Sequence, residues 1–376
     1  MTTAVVFAYH NVGVRCLQVL LAHGVDVRLV VTHTDNPAET IWFDSVAALA
    51  KLHGIETITP DDPATAKVFE RVRAAAPEFI FSFYYRHLLP PALLTLASRG
   101  ALNLHGSLLP AYRGRVPVNW AVIRGEARTG ASLHHMADKP DAGDLVDQQA
   151  VPILPDDTAH DTFNKVTVAA EMVLDRSIDA LVAGTAPRIP LDLKQGSYFG
   201  GRKPEDGRID WSRSAAEVHN LVRGVAPPYP GAFTTVRGSS ARVLRTLRDQ
   251  RPARGAPGTF TIDGDDILAS CGDGRALRVL SLEIAGRAVD ASCFEPYRHS
   301  SPSSPALLPE GEGSAAPPSS PALFPEGEGS AAPPSSPALL PEGEGSPAPP
   351  SPPGRGTEGE GKLAISATTT LPTLKP

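Results

Sequence analysis

The sequence predicts an α/β fold: a Rossmann-like, doubly wound parallel sheet without a dinucleotide fingerprint, then a small OB-like β-barrel subdomain and a disordered repeat tail. Three observations lead there. Short apolar runs alternate with stretches of helical periodicity over the first half of the 376-residue chain, the pattern of βαβ units. Short strand-like runs then follow one another from about residue 232 to 282, as in a small antiparallel barrel. From about Arg298 the composition collapses to Pro, Ser, Gly and Glu, which cannot build a core.

Residues 4–9 form a continuous apolar run, as expected of a strand covered on both faces. Val14, Leu17, Leu20 and Leu21 keep helical spacing up to Gly24, a good stop. Strands are expected at 25–31, 56–59, 79–83 and around Asn103, with helices at 45–53, 67–75 and 90–97 between them. The first strand-to-helix turn, Ala8-Tyr9-His10-Asn11-Val12-Gly13, lacks GxGxxG, so no NAD site is expected there. Strands at 131–136 and 148–153 precede a long helix at 158–181, whose start is credited to Asp156 and Asp157. These elements make up a first domain, 1–195. A second unit, 196–296, carries a helix at 214–222, a Pro-rich turn at 227–231 and strands at 232–236, 241–247, 258–262, 267–271 and 276–282. In the third segment, 297–376, a Ser-Ser-Pro-Ala-Leu unit beginning at Ser303 recurs at Ser319 and Ser335. Leu-Leu or Leu-Phe is too small an apolar face for a solenoid, so disorder is expected.

Charge and cysteine usage narrow the classes. The net charge is -6, and residues 296–376 hold four basic and eight acidic residues, which leaves the body nearly neutral. Such a body lacks the footprint of a long nucleic-acid binder. Cys16, Cys271 and Cys293 are scattered, without CxxC or metal spacing, which suits a reduced, cytoplasmic setting. No apolar run reaches the roughly 18 residues needed to span a bilayer, so no membrane insertion is expected.

The chemistry is expected in 101–143. Asn103 and His105 lie two apart on a strand and emerge on one side. A neutral amine attacking a formyl or acyl carbonyl creates an oxyanion and an ammonium. The Asn103 amide suits the first, and His105 can relay the proton. Asp141, in a Pro-Asp-Ala-Gly turn, would favour the protonated imidazole and hold its orientation. Taken singly, an Asn or His at a strand end is more often a satisfied structural group, and an Asp in such a turn a turn former. His134 and His135 point to opposite strand faces, which argues against joint metal chelation, and no metal is expected.

The run Asn103-Leu104-His105-Gly106-Ser107-Leu108-Leu109-Pro110, with Tyr112-Arg113-Gly114 and Asp141-Ala142-Gly143, resembles the formyltetrahydrofolate-dependent formyltransferases. Thr32-His33-Thr34-Asp35-Asn36-Pro37, the run from Phe81 to Leu88, Phe199-Gly200-Gly201-Arg202 and Pro230-Gly231-Ala232-Phe233 are similar to the formyltransferase domain for UDP-4-amino-4-deoxy-L-arabinose, of lipid A modification. The resemblance covers about residues 3–282. It implies His105 as general acid/base, Asn103 as stabiliser of the tetrahedral intermediate and Asp141 as the group that raises the pKa of His105. It also implies 10-formyltetrahydrofolate as donor, lying along His87, Leu88, Leu89, Arg115, Ala137, Asp138, Lys139, Pro140 and Asp141. The acceptor would be the 4-amine of a nucleotide-linked amino sugar, with no nucleic-acid partner. Leu88 and Leu89 offer an apolar wall for a pterin, and Arg115 a cation for an anionic ligand. Methionyl-tRNA formylation, hydrolysis of the formyl-folate and a non-catalytic folate or nucleotide binding module stand as alternatives. Two-domain relatives carry a dehydrogenase/decarboxylase where the repeat tract stands, so oxidative decarboxylation is not expected.

Overall fold

The computed structural model describes residues 1–37 and 39–294; the repeat tract expected to be disordered lies outside the described residues. Thr3–Ala8 (β1) is buried at every position. Its Ala4, Val6 and Ala8 join one hydrophobic cluster and Val5 and Phe7 another, so period-two alternation feeds a core on each sheet face. His10–Ala22 (α1), Asp26–Val31 (β2), Val46–Leu52 (α2), Thr57–Ile58 (β3), Ala66–Ala75 (α3), Phe79–Phe83 (β4), Pro91–Leu94 (α4) and Gly100–His105 (β5) follow in turn. Next come Arg113–Gly114 (β6), Pro117–Ile123 (α5), Arg128–His135 (β7), Leu145–Pro152 (β8) and Ala159–Ala183 (α6).

The main sheet has seven strands in the order β3-β2-β1-β4-β5-β7-β8. Pairings from β3 to β5 are parallel, as expected. The β5–β7 and β7–β8 pairs are antiparallel, so the sheet is mixed beyond β5. A parallel return needs a helix laid across the sheet. Here the segment after β5 sends its helix, α5, toward Ala215–Val225 (α7) instead, where Asn119 Nδ2 donates to Gly224 O at 2.9 Å. Helix α5 itself was not expected from the sequence.

Helix α6 starts where the sequence places it, but on a different cap. Thr158, not Asp156 or Asp157, is its cap: Thr158 Oγ1 accepts from Asp161 N at 3.1 Å while Asp161 Oδ2 accepts from Thr158 N at 2.9 Å. Asp157 is occupied with Leu154 N and Lys165. Because α6 packs against α1, β7 and β8, losing this reciprocal cap should be felt globally. Thr158→Ala is expected to lower unfolding free energy by about 1 kcal/mol, read as a shifted urea midpoint with an unchanged slope.

Tyr198–Phe199 (β9) pairs with β6 in a two-stranded parallel ribbon. Helix α7, capped by the Ser214–Glu217 box, leads into a six-stranded antiparallel sheet. Its strands are Ala232–Val236 (β10), Ser239–Pro252 (β11), Phe260–Asp263 (β12), Asp266–Ser270 (β13), Arg275–Ile284 (β14) and Arg287–Val289 (β15). The order is β10-β11-β14-β13-β12, with β15 on β14, and α7 lies against β11 and β14. No helix among the described residues is long and apolar enough to cross a membrane.

Candidate functional site

Alternation along β5 puts Leu102 and Leu104 into one core, so Asn103 and His105 project from the opposite sheet face. The antiparallel register sets His134 of β7 directly across from Asn103, and Ser132 across from His105. Chain reversal matters here. Strand β7 ends beside the start of β5, where Met136 N donates to Ala101 O at 2.8 Å. The following loop must therefore come back over the sheet face for Asp141 to reach His105. Gly143 permits that path, since a Cβ there would overlap the His135 carbonyl. Asp141 itself sits at φ 52, a left-handed backbone uncommon outside glycine and tolerated best by Asn and Asp.

Asp141 Oδ1 stands 3.4 Å from His105 Nδ1 and 3.6 Å from His134 Nε2, and its Oδ2 accepts from Gly114 N at 2.8 Å. Burial opposes the carboxylate, but the positive charge that His105 carries when protonated, with the Gly114 amide, outweighs it. The carboxyl is held down at about 2. His105 is nearly inaccessible, and its Nε2 lies 2.8 Å from Tyr112 O. A carbonyl only accepts, so Nε2 carries a proton and Nδ1 is the basic atom of the neutral ring. Burial pulls the imidazole below its ordinary value, with Asp141 and the Tyr112 carbonyl opposing. The carboxylate acts in the expected direction, but desolvation wins, and the resting ring is neutral.

The same logic orients Asn103. His134 Nδ1 lies 2.8 Å from His135 O and must donate to it. In the neutral ring Nε2 is then an acceptor, matched by Asn103 Nδ2 at 3.1 Å. That spends one amide N–H and leaves Asn103 a second. His134 was missed as a site residue in the sequence. His135, on the other face, bonds Arg188 instead.

The other expected contact residues lie in the loops that follow β4, β6 and β7. His87 and Leu88 follow β4; Leu88 is 75% exposed, while Leu89 is buried in the cluster on the site's face, against which Met136 packs. Ala137, Asp138, Lys139 and Pro140 are exposed in the loop that returns to Asp141, and Arg115 is exposed just past β6. Gly106 is required for packing: a Cβ there would collide with the Tyr84 hydroxyl. No group of three or more His, Cys, Asp or Glu side chains suited to a metal occurs among the described residues.

An amide with a spare N–H, a neutral imidazole whose basic nitrogen faces a carboxylate, and apolar and cationic loops at the rim together suit acyl transfer to an amine. Comparison with known proteins points the same way. Residues 13–178 match the formyl transferase family, and residues 202–294 match the formyl transferase C-terminal domain. Among solved structures, similarity extends to an N-formyltransferase from Helicobacter canadensis in complex with folinic acid and dTDP-3-aminofucose. That likeness has 18% identity and a TM-score of 0.59, covering 74% of this chain and 99% of that one. A 4-N formyltransferase from Francisella tularensis is 20% identical, with a TM-score of 0.51 over 62% of this chain and 91% of its own. HypX from Aquifex aeolicus in complex with tetrahydrofolic acid is 16% identical, with a TM-score of 0.54 over 78% of this chain and 47% of its own. At such identities the likeness is one of fold.

Proposed function

The chain belongs to the formyl transferase family, and from that premise we propose that it moves a formyl group from 10-formyltetrahydrofolate to the amine of a nucleotide-linked amino sugar. UDP-4-amino-4-deoxy-L-arabinose is the acceptor favoured by the sequence runs described above. The observation that carries the reading is the convergence of Asn103, His105 and Asp141 on one sheet face, with 3.4 Å between imidazole and carboxylate. The folate, when bound, supplies the activated formyl carbon. The residues present suit it: an exposed Leu88 beside a buried Leu89 offers an apolar wall, and Arg115 an exposed cation for an anionic tail.

As the acceptor nitrogen attacks, the formyl oxygen gains negative charge, and the second N–H of Asn103 donates to it. The acceptor nitrogen becomes positive and gives a proton to His105 Nδ1, while Nε2–H stays anchored on the Tyr112 carbonyl. Asp141 stabilises the imidazolium so formed. The carbon–nitrogen bond to the donor then breaks, and His105 returns the proton to the departing nitrogen. The ring ends neutral, as it began.

A net-negative chain gives little support to a tRNA acceptor, which needs cationic surface. The H. canadensis protein's complex with a dTDP-linked amino sugar supports the sugar-nucleotide class. Purified protein with 10-formyltetrahydrofolate should formylate UDP-4-amino-4-deoxy-L-arabinose ahead of dTDP-linked amino sugars, read as the mass gain of one formyl group. Formylation of methionyl-tRNA with every sugar left untouched would reverse the assignment. Donor consumption without any acceptor would mark a hydrolase.

A further inference from the structure

Phe199-Gly200-Gly201-Arg202 takes no part in the proton relay, yet it lies on the ribbon that builds the site. Strand β6 supplies the Gly114 amide that holds Asp141, directly after the Tyr112 carbonyl that holds His105. It pairs residue by residue with β9, whose last residue is Phe199. Phe199 is stacked between Tyr112 at 5.0 Å and Trp120 at 5.4 Å, and Trp120 Nε1 donates to Gly200 O at 3.1 Å. The two glycines and Arg202 are thus presented from a fixed base.

Arg202 is poorly satisfied there. Its only hydrogen bond among the described residues is a 3.4 Å contact to Gly224 O, an acceptor already used by Asn119 at 2.9 Å. No carboxylate among the described residues comes within ion-pair distance of it. Tyr229 and Asp206 act on its charge, and Asp206 accepts from Lys203 N at 2.6 Å. Burial bears on this guanidinium, lowering its pKa from the ordinary value. A half-buried cation with one long bond is better satisfied when a bound anion completes it. The surroundings leave room. A Cβ at Gly200 would meet nothing within 4 Å. On the paired strand, the buried Arg113 Nε also lacks a partner.

We propose that Arg202, presented by the Gly200–Gly201 turn beside β6, is the anchor for the diphosphate of the nucleotide-linked acceptor. This rests on the sugar-nucleotide reading above and adds the group that holds that substrate's charge. A guanidinium offers a fork of donors that matches two phosphate oxygens at once. Anchoring the diphosphate on the ribbon that fixes His105 and Asp141 ties the position of the acceptor amine to that of the base.

The test uses the full chain saturated with folinic acid, titrated with UDP, dTDP and UMP by calorimetry. Arg202→Gln should weaken the diphosphates about ten- to a hundredfold, the loss of a charged hydrogen-bond pair. Arg202→Lys should recover part of that, and UMP should lose less than UDP. Folinic acid should bind all three proteins alike, which reports intact folding. Equal UDP affinity in wild type and Arg202→Gln would overturn the proposal while leaving the acceptor class standing. Loss of folinic acid in both variants would make the residue structural and also overturn it. If wild type binds neither UDP nor dTDP yet formylates another amine, the sugar-nucleotide reading falls, and this anchor with it.

Discussion

Replacing His105 with alanine is expected to slow formyl transfer by roughly two to four orders of magnitude, the usual span of a general acid–base group. Binding of the folate donor should survive. The reason is geometric: His105 Nε2 is tied to the Tyr112 carbonyl at 2.8 Å, which leaves Nδ1, 3.4 Å from the Asp141 carboxylate, as the atom that takes up a proton. Since alanine leaves a hole under a buried ring, His105→Gln makes the stricter variant. Its amide can still reach the carbonyl but cannot take up a proton. Single-turnover rates beside a folinic acid titration separate the outcomes. A rate unchanged in both variants would remove the imidazole from the mechanism, and parallel loss of rate and folate affinity would make it a packing residue. The pH dependence carries a second readout. Burial holds the ring below its ordinary value of 6.5, so the basic form persists to lower pH. The acid limb of kcat/KM should therefore fall below the range of a solvated histidine.

Much of this site is legible in the sequence, and what is not has identifiable causes. Asn103 and His105 follow from a strand's period of two, because alternation survives whatever the tertiary context. His134 does not, since its role depends on β7 running antiparallel to β5 and on the register that sets it opposite Asn103. Nothing local to His134 encodes either. The carbonyl of Tyr112 and the amide of Gly114 are backbone groups, invisible to any reading of side-chain chemistry. Both belong to a loop in which Tyr112 and Val116 adopt left-handed φ values of 57 and 48, a concentration of backbone strain expected where function overrides propensity. Helix α5 escaped for a related reason. Seven residues beginning at Pro117 are too few to hold a helix alone, and its support comes from burial of Val118, Asn119, Ala121 and Val122 near α7. The cap of α6 is a different case: Thr158 and Asp161 stand at capping-box spacing in the sequence, but the adjoining Asp156 and Asp157 offer a competing explanation.

Asp141→Asn gives the clearest division between a catalytic carboxylate and a turn former. Asparagine tolerates the left-handed φ of 52, and its carbonyl oxygen can still accept from Gly114 N. If residue 141 serves only the turn, the exchange should be nearly silent. As the counter-charge to His105, the carboxylate has a different consequence. Removing an anion 3.4 Å from Nδ1 destabilises the imidazolium relative to the neutral ring, so the His105 pKa moves down again from a value already lowered. Proton uptake from the attacking amine becomes harder, and kcat should drop about a hundredfold or more. At the same time the acid limb of the rate profile should move to lower pH, because the weaker base stays unprotonated further into acid. A simple loss of structure would reduce the rate without displacing that limb. The carboxyl of Asp141, held at about 2 against an ordinary 3.8, adds a consequence for folding. Its stabilisation is present above the unfolded value and lost as pH falls through the folded one, so the asparagine variant should show a smaller drop in melting temperature between pH 4 and pH 2. A silent rate profile combined with that flattened acid melting curve would assign Asp141 to stability alone; a displaced limb assigns it to the proton transfer.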